Sequence, residues 1–126
     1  KLWNDTFVGP SIVYPRVSSV QRVQTLSERE IYWTPILREY AIRFGANPDL
    51  IIRVVRCESG FNPNAQNSTS TASGLFQFLD STWASQSAKH GVYTQKNDPY
   101  GQIEVAIRMI AAGGITHWNA SKSCWQ

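Results

Sequence analysis

An apolar run that ends in a carboxylate is the feature that most constrains how this chain can fold. The segment from Leu50 to Cys57 is apolar apart from two arginines, and Glu58 follows it directly. Asn47-Pro48-Asp49 precedes the run and predicts the start of a helix. Because apolar residues fall on nearly every side of this segment, it predicts a helix buried in the middle of the domain, with Glu58 on its last turn.

The region before this helix also has a helical pattern. Ser27-Glu28-Arg29-Glu30 has the spacing of a capping box, so a helical turn is predicted to begin there. Pro35 is expected to interrupt it, since proline lacks the backbone N–H that a helix interior uses. Thr34-Pro35 would then cap a second, amphipathic helix that ends at Gly45.

After Glu58 the sequence predicts a loop and two further helices. Residues 62–74 consist largely of turn formers and are expected to form the loop. One helix is predicted to begin at Asp80 or Ser81 as its cap and to run to about His90. The other should begin at Asp98-Pro99, with one apolar face made of Ile103, Ala106, Ile107 and Ile110. The fold class is therefore mainly α, with little or no β.

The chain has 126 residues, 42% of them hydrophobic and 17% charged, which is typical of one compact domain. Residues 1–26 contain scattered prolines without sustained periodicity, so they are predicted to form an extended arm, packed through Trp3, Phe7 and Tyr14. Residues 27–126 would form the domain itself, expected to be a monomer.

Composition excludes several functional classes. The net charge of +3 comes without a basic run, which argues against a nucleic-acid partner. No segment reaches 18 consecutive apolar residues, so no membrane span is predicted. Residues 1–26 lack the features of an export signal, and the first residue is Lys, which suggests a mature product or an excised domain. His90 and His117 lack neighbouring ligands at metal-binding spacing, so no metal or cofactor is expected.

The two cysteines, Cys57 and Cys124, are too far apart in sequence for a metal-binding motif. A disulfide is favoured because Cys124 lies near a C-terminus that would gain from tethering; two buried free thiols are the alternative. A disulfide would indicate an oxidising, extracytoplasmic setting.

The position of Glu58 has a chemical consequence. A carboxylate at a helix C-terminus faces the negative end of the helix dipole, which disfavours its charged form. Apolar packing acts in the same direction, so the pKa of Glu58 is predicted to be raised. A carboxyl group with a raised pKa is suited to act as a general acid near neutral pH.

Residues from about 36 to 125 resemble the lysozyme-like lytic transglycosylases. The resemblance lies in the combination and separation of several motifs, namely Gly45 with Pro48, Glu58-Ser59 with Phe61, Pro63 and Ala65, then Ala72 with Gly74-Leu75-Phe76-Gln77, and further on Thr82-Trp83 and Asp98-Pro99. It implies a lysozyme-like α-helical domain with a substrate cleft. The ending, with Trp118, Ser121, Cys124 and Trp125, resembles wall-degrading domains of phages and bacteria that carry a terminal disulfide.

The resemblance implies cleavage of the β-1,4 bond between N-acetylmuramic acid and N-acetylglucosamine in peptidoglycan. Glu58 would act as the single general acid and base and would leave 1,6-anhydro ends. The alternatives are a hydrolytic muramidase and a non-catalytic wall-binding module. Asp80 and Asp98 are better explained as helix caps, and Glu104 as a solvated residue, so no second catalytic carboxylate emerges.

Several residues are candidates for substrate contacts. The set of substrate-binding candidates is Ser59, Ser73, Phe76, Gln77 and Tyr100, although Ser59 is equally well explained as a backbone partner, Phe76 as core and Tyr100 as ordinary packing. The amide of Gln77 is expected to bond Glu58 or an N-acetyl group. One departure from the family pattern stands out: the tyrosine that often contacts the catalytic acid has no counterpart in Ala111-Ala112-Gly113-Gly114. Either another group must therefore orient Glu58, or its environment differs from the usual one.

Overall fold

A computed structural model describes residues 24–126; the predicted arm, with Trp3, Phe7 and Tyr14, lies almost wholly outside the described residues. Within the described part the chain is mainly α-helical and contains no sheet, only two isolated bridges that involve Ser73. In chain order the elements are α1 (Leu26–Phe44), α2 (Pro48–Ser59), α3 (Asp80–Lys89), α4 (Pro99–Ala111), a 3-10 helix η1 (Gly114–Ser121) and α5 (Lys122–Trp125).

Helix α1 differs from its prediction in two ways. Its capping box is formed by Thr25 and Glu28, two residues before the predicted one: Glu28 N donates to Thr25 Oγ1 at 3.1 Å and Thr25 N donates to Glu28 Oε1 at 2.8 Å. The helix also continues through Pro35, so the predicted interruption is wrong. The reason is a buried stripe on either side of the proline, formed by Trp33, Leu37 and Ala41. Burial of this stripe offsets the roughly 3 kcal/mol that an interior proline costs.

Helix α2 begins and ends as predicted. The Asn47 side chain accepts from Asp49 N at 3.0 Å, and Gly60 ends the helix in the left-handed conformation, with φ of 60°. Its buried face consists of Ile51, Ile52, Val54 and Val55. The prediction that this helix is buried on nearly every side is corrected, because Arg53 and Arg56 lie on an exposed face.

Helix α3 lacks the predicted side-chain cap. Its N-cap is Leu79, and Asp80 is instead the first helical residue. The Asp80 N–H instead donates to Thr71 Oγ1 at 3.0 Å, and the Asp80 carboxylate pairs with Lys96 Nζ at 2.6 Å.

Helix α4 has the predicted cap, since Asp98 Oδ1 accepts from Tyr100 N at 3.0 Å. Its predicted apolar face is buried, and so is Gln102. Glu104 is not simply solvated but pairs with Arg108 at 3.0 Å. Helices α1 and α4 pack together, α1 also packs on α2, and η1 and α5 close over the C-terminal end of α2.

Within residues 24–126 no helix has both the length and the apolar character needed to cross a membrane.

Candidate active site

Glu58 lies half-buried on the last turn of α2, as its sequence position predicts. Gly60 N donates to Arg56 O at 3.1 Å and closes the helix. From α1, Arg29 Nε donates to the Gly60 carbonyl oxygen at 3.2 Å. The end of the helix that carries Glu58 is thus held from a neighbouring element.

Ser121, the last residue of η1, contacts the carboxyl group of Glu58. Its Oγ donates a hydrogen bond to Glu58 Oε2 and lies 3.2 Å from the Trp118 carbonyl oxygen. A hydroxyl from the C-terminal segment therefore contacts Glu58, for which no tyrosine is present in Ala111-Ala112-Gly113-Gly114.

A disulfide between Cys57 and Cys124 brings this segment to Glu58. The two Cα atoms are 6.0 Å apart, and the predicted bridge is confirmed. Two further bonds fix the segment: Arg53 Nε donates to the Trp125 carbonyl oxygen at 2.9 Å, and Trp125 Nε1 donates to the Trp118 carbonyl oxygen at 3.2 Å. Ser121 precedes Cys124 by one turn, so the bridge brings its hydroxyl near the residue that follows Cys57.

Burial raises the pKa of the Glu58 carboxyl above its ordinary value, and the hydrogen bond from Ser121 acts in the opposite direction. The larger effect is burial, because removal from water penalises the charged form. The predicted direction of the shift is confirmed. The neutral, proton-bearing form of Glu58 is thereby favoured at higher pH than for an exposed glutamate.

The Gly74-Leu75-Phe76-Gln77 turn packs against the same end of α2. Ser59 Oγ donates to the Leu75 carbonyl oxygen at 2.8 Å, which joins the helix to the turn. Gln77 has a left-handed backbone with φ of 54°, a conformation that costs a non-glycine residue free energy and recurs at functional sites. Its Nε2 donates to Ala65 O at 3.3 Å and to Gly74 O at 3.0 Å rather than to Glu58.

Gln102, fully buried on α4, supports the turn from behind. Its Oε1 accepts from Phe76 N at 3.1 Å, and its Nε2 donates to the carbonyl oxygens of Ser73 and Lys96 at 3.0 and 2.9 Å. On the other side of the turn, Trp118 Nε1 donates to the Phe76 carbonyl oxygen at 3.0 Å. Both backbone polar groups of Phe76 are therefore satisfied in the core.

A cavity of about 230 Å³ opens beside Glu58. Part of its lining is aromatic and part is polar, a combination suited to the apolar faces and the hydroxyl and amide groups of a sugar. The residues that give it this character are Phe76, Phe78, Trp118, Asn67, Thr82 and His117.

The structure brings some of the predicted substrate-binding residues to this cavity and not others. Phe76 and Gln77 line it, and Phe76 is at the same time fully buried. Ser59 serves as the backbone partner described above. Ser73 lines a separate cavity of about 140 Å³. Tyr100 bonds the Tyr32 hydroxyl at 2.9 Å and is not among the residues that line the Glu58 cavity. The substrate-binding roles remain predictions.

Sequence reasoning did not select Ser121 or Gln102 as site residues. Ser121 could have been found from the cysteines. A bridge from Cys57 to Cys124 brings Cys124 close to Glu58, which follows Cys57, and the hydroxyl of Ser121 lies one turn before Cys124. For Gln102 no comparable sequence signal exists, since a single amide in an apolar helix is compatible with an exposed position.

Residues 35–116, well over half of the chain, match the family described as Transglycosylase SLT domain. The chain belongs to this family. The resemblance inferred from the motifs is thus confirmed.

Known proteins similar to this SLT domain include two from Staphylococcus aureus, each described as "Probable transglycosylase SceD". The protein from strain MRSA252 is 39% identical over 72 residues, which cover 56% of this chain and 31% of the relative. The protein from strain Newman is 40% identical over 68 residues, which cover 52% and 29%. The aligned part is therefore less than a third of the length of these relatives.

The SLT match ends at residue 116, so Trp118, Ser121 and Cys124 lie beyond it. In the contact between Ser121 and Glu58, the hydroxyl therefore comes from outside the matched region and the carboxyl group from within it. Among the residues that the structure describes, no group of three or more His, Cys, Asp or Glu side chains could hold a metal ion.

Proposed function

We propose that this SLT domain is a peptidoglycan lytic transglycosylase that cleaves the β-1,4 bond between N-acetylmuramic acid and N-acetylglucosamine. The observation that carries the proposal is the half-buried Glu58 carboxyl, whose pKa is raised by burial, at the side of a cavity of sugar-binding character. Family membership supports the same reaction class.

The reaction needs one residue that first donates a proton and then accepts one. In the first step the Glu58 carboxyl protonates the glycosidic oxygen as the bond from this oxygen to C1 of the muramic acid breaks. In the second step the Glu58 carboxylate takes the proton of the muramic acid's own 6-hydroxyl as O6 bonds to C1. The product is a 1,6-anhydro ring, and Glu58 regains its proton.

The composition of the cavity lining favours this intramolecular route. Glu58 is the one Asp or Glu among the described residues that line the cavity. A hydrolase usually has a second carboxylate across the bond, either to activate water or to act as a nucleophile. An attacking hydroxyl that belongs to the substrate is already positioned and needs no such partner.

The proposed substrate implies a setting outside the cytoplasm, in the periplasm, in the cell wall or in a secreted or phage-borne enzyme. The Cys57–Cys124 disulfide is consistent with this setting, because such bonds persist in oxidising compartments.

Digestion of purified peptidoglycan followed by mass spectrometry of the muropeptides tests the proposal. We expect 1,6-anhydro ends from the native domain, none from Glu58→Gln, and native release from Glu39→Gln, which changes an exposed carboxylate on α1. Reducing ends would identify a hydrolytic muramidase instead. Absence of release by the native domain, with glycan binding retained, would identify a wall-binding module.

A further inference from the structure

The hydroxyl of Ser121 lies between two acceptors. One is Oε2 of Glu58 and the other is the Trp118 carbonyl oxygen, 3.2 Å away. A serine hydroxyl has one hydrogen to donate and lone pairs that accept. The carboxyl group is the stronger acceptor when it is charged, and the hydroxyl can turn without moving its oxygen atom.

We propose that Ser121 is the positioning residue of Glu58: it holds Oε2 in both protonation states and so leaves Oε1 to exchange the proton with the substrate. This inference rests on the proposed function. With the proton on Oε1, Oε2 is the carbonyl oxygen of the acid and accepts from Ser121. After the proton has left Oε1, Oε2 belongs to a carboxylate and accepts the same bond more strongly.

The hydroxyl is suited to this role because its location is fixed from several directions. The disulfide holds Cys124, one turn after Ser121. Trp118, one turn before, is buried and bonds the Phe76 carbonyl oxygen at 3.0 Å. One neighbour of the hydroxyl is thus buried in the core and the other is bonded to α2, which keeps the side chain of Glu58 in one orientation toward the cavity.

Ser121 also has an energetic effect on the two steps. Burial alone would favour the neutral acid and make the carboxylate a poor product of the first step. The hydrogen bond lowers the pKa of Glu58 against the larger effect of burial. A residue that must act as an acid and then as a base works best when neither form is strongly disfavoured.

Three arginines near this end of α2 bond groups other than Glu58, and among the described residues Ser121 is the side chain that bonds the Glu58 carboxyl. Arg29 bonds the Gly60 carbonyl oxygen, Arg53 bonds the Trp125 carbonyl oxygen, and Arg56 pairs with Glu30 at 2.9 Å. Lys122 is exposed on α5. His117 is the other titratable side chain among the described residues that line the cavity.

The test compares Ser121→Ala, Ser121→Thr and the control Ser123→Ala, which removes an exposed hydroxyl from the neighbouring helix. Two quantities are measured for each: the titration of the Glu58 carboxyl by carbon-13 NMR, and the pH profile of kcat on peptidoglycan. For Ser121→Ala we expect a higher Glu58 pKa and a kcat lower by about 10- to 100-fold, with little change in KM. Ser121→Thr should restore most of both, and Ser123→Ala should match the native domain.

The proposal is overturned if Ser121→Ala has the same Glu58 pKa and the same kcat as the native domain. It is also overturned if Ser121→Thr is as impaired as Ser121→Ala. The NMR titration needs no substrate, so it separates this inference from the proposed function. Were the native domain inactive, a raised Glu58 pKa in Ser121→Ala would still establish the contact, and an unchanged pKa would reject it. Circular dichroism checks that each variant folds. If Ser121→Ala does not fold, Ser121→Thr decides: a Glu58 pKa and a kcat equal to those of the native domain uphold the role of the hydroxyl, and altered values of both reject it.

Discussion

The side-chain oxygen of Gln102 accepts the backbone N–H of Phe76 at 3.1 Å, so a buried amide on α4 fixes the turn that lines the candidate active site. This fully buried side chain makes two hydrogen bonds to the segment from Ser73 to Phe76 and a third to Lys96 in the loop before α4. The turn therefore depends on a residue that does not itself line the cavity.

Replacement of this amide should be costly. Gln102→Leu keeps a similar volume but leaves the Phe76 N–H and the carbonyl oxygens of Ser73 and Lys96 without their partner. Because buried polar groups without partners are expensive, we expect the free energy of unfolding to fall by about 3 kcal/mol. Urea denaturation measures the loss, and Gln95→Leu, at an exposed position, serves as the control. Equal stability of the two variants would show that Gln102 does not support the turn.

Two glycines separate the effect of crowding from that of backbone conformation. Gly74 and Gly91 both have positive φ, of 85° and 72°, but an added Cβ would lie 2.3 Å from Gln102 Nε2 at Gly74 and would meet nothing within 4 Å at Gly91. Gly91→Ala should therefore lose about 1 kcal/mol from backbone strain alone. Gly74→Ala should lose at least about 2 kcal/mol more, since the Gln102 amide has to move. Thermal and urea unfolding measure the stability of both variants. An equal loss in the free energy of unfolding for Gly74→Ala and Gly91→Ala would contradict the crowding effect at Gly74.

Loss of the disulfide should destabilise the domain as a whole. In the chain-entropy model a bridge between residues 67 positions apart contributes about 4 kcal/mol. The double variant Cys57→Ala with Cys124→Ala should unfold at correspondingly lower urea concentration, and a reducing agent should lower the stability of the native domain but not that of the variant. Thiol titration of the unreduced protein gives the direct check: two titratable thiols would disprove the bridge.

The raised pKa of Glu58 makes a prediction for stability against pH. Below the ordinary value of 4.5, Glu58 is neutral in both the folded and the unfolded chain and has no linkage effect. As pH rises from there through the folded-state pKa, the unfolded chain loses its proton first, so the contribution of Glu58 to folding stability declines. Glu58→Gln removes this decline. The urea midpoint of Glu58→Gln minus that of the native domain should therefore be larger at pH 7 than at pH 4.

The same comparison for Glu39→Gln provides the control, because Glu39 is exposed and its ion pair among the described residues is with Arg43 in the same helix. A pH dependence of the Glu58→Gln difference that is no larger than that of the Glu39→Gln difference would argue against a buried, proton-retaining Glu58.

The helices that begin at Pro48 and Pro99 could be predicted because each has an N-capping side chain directly before a first-turn proline. The start of α1 was ambiguous, since Thr25 with Glu28 and Ser27 with Glu30 both satisfy the capping-box spacing. Local sequence cannot choose between two such registers. Tertiary packing decides, and the capping box of this fold lies at Thr25.

The continuation of α1 through Pro35 could not be predicted from local propensity. A proline penalty is visible in the sequence, whereas the burial of Trp33 and Leu37 that offsets it exists only once α2 and α4 are in place. In the candidate site, too, some residues could be predicted from local sequence and others depend on the folded chain. Glu58 and the Gly-Leu-Phe-Gln turn are marked by sequence motifs, but the partner of Glu58 comes from a segment brought near only by the folded chain.

Glu58 and Ser121 are 63 residues apart in sequence, and Ser121 is followed by a helix of only four residues. Short helices can open locally, with small free energies and without global unfolding. Local opening of α5 together with the end of η1 would withdraw the hydroxyl while α1, α2 and α4 stay intact. Tethering by Cys124 therefore does more than stabilise the fold: it suppresses a local opening that would leave a well-folded domain with an unsupported acid.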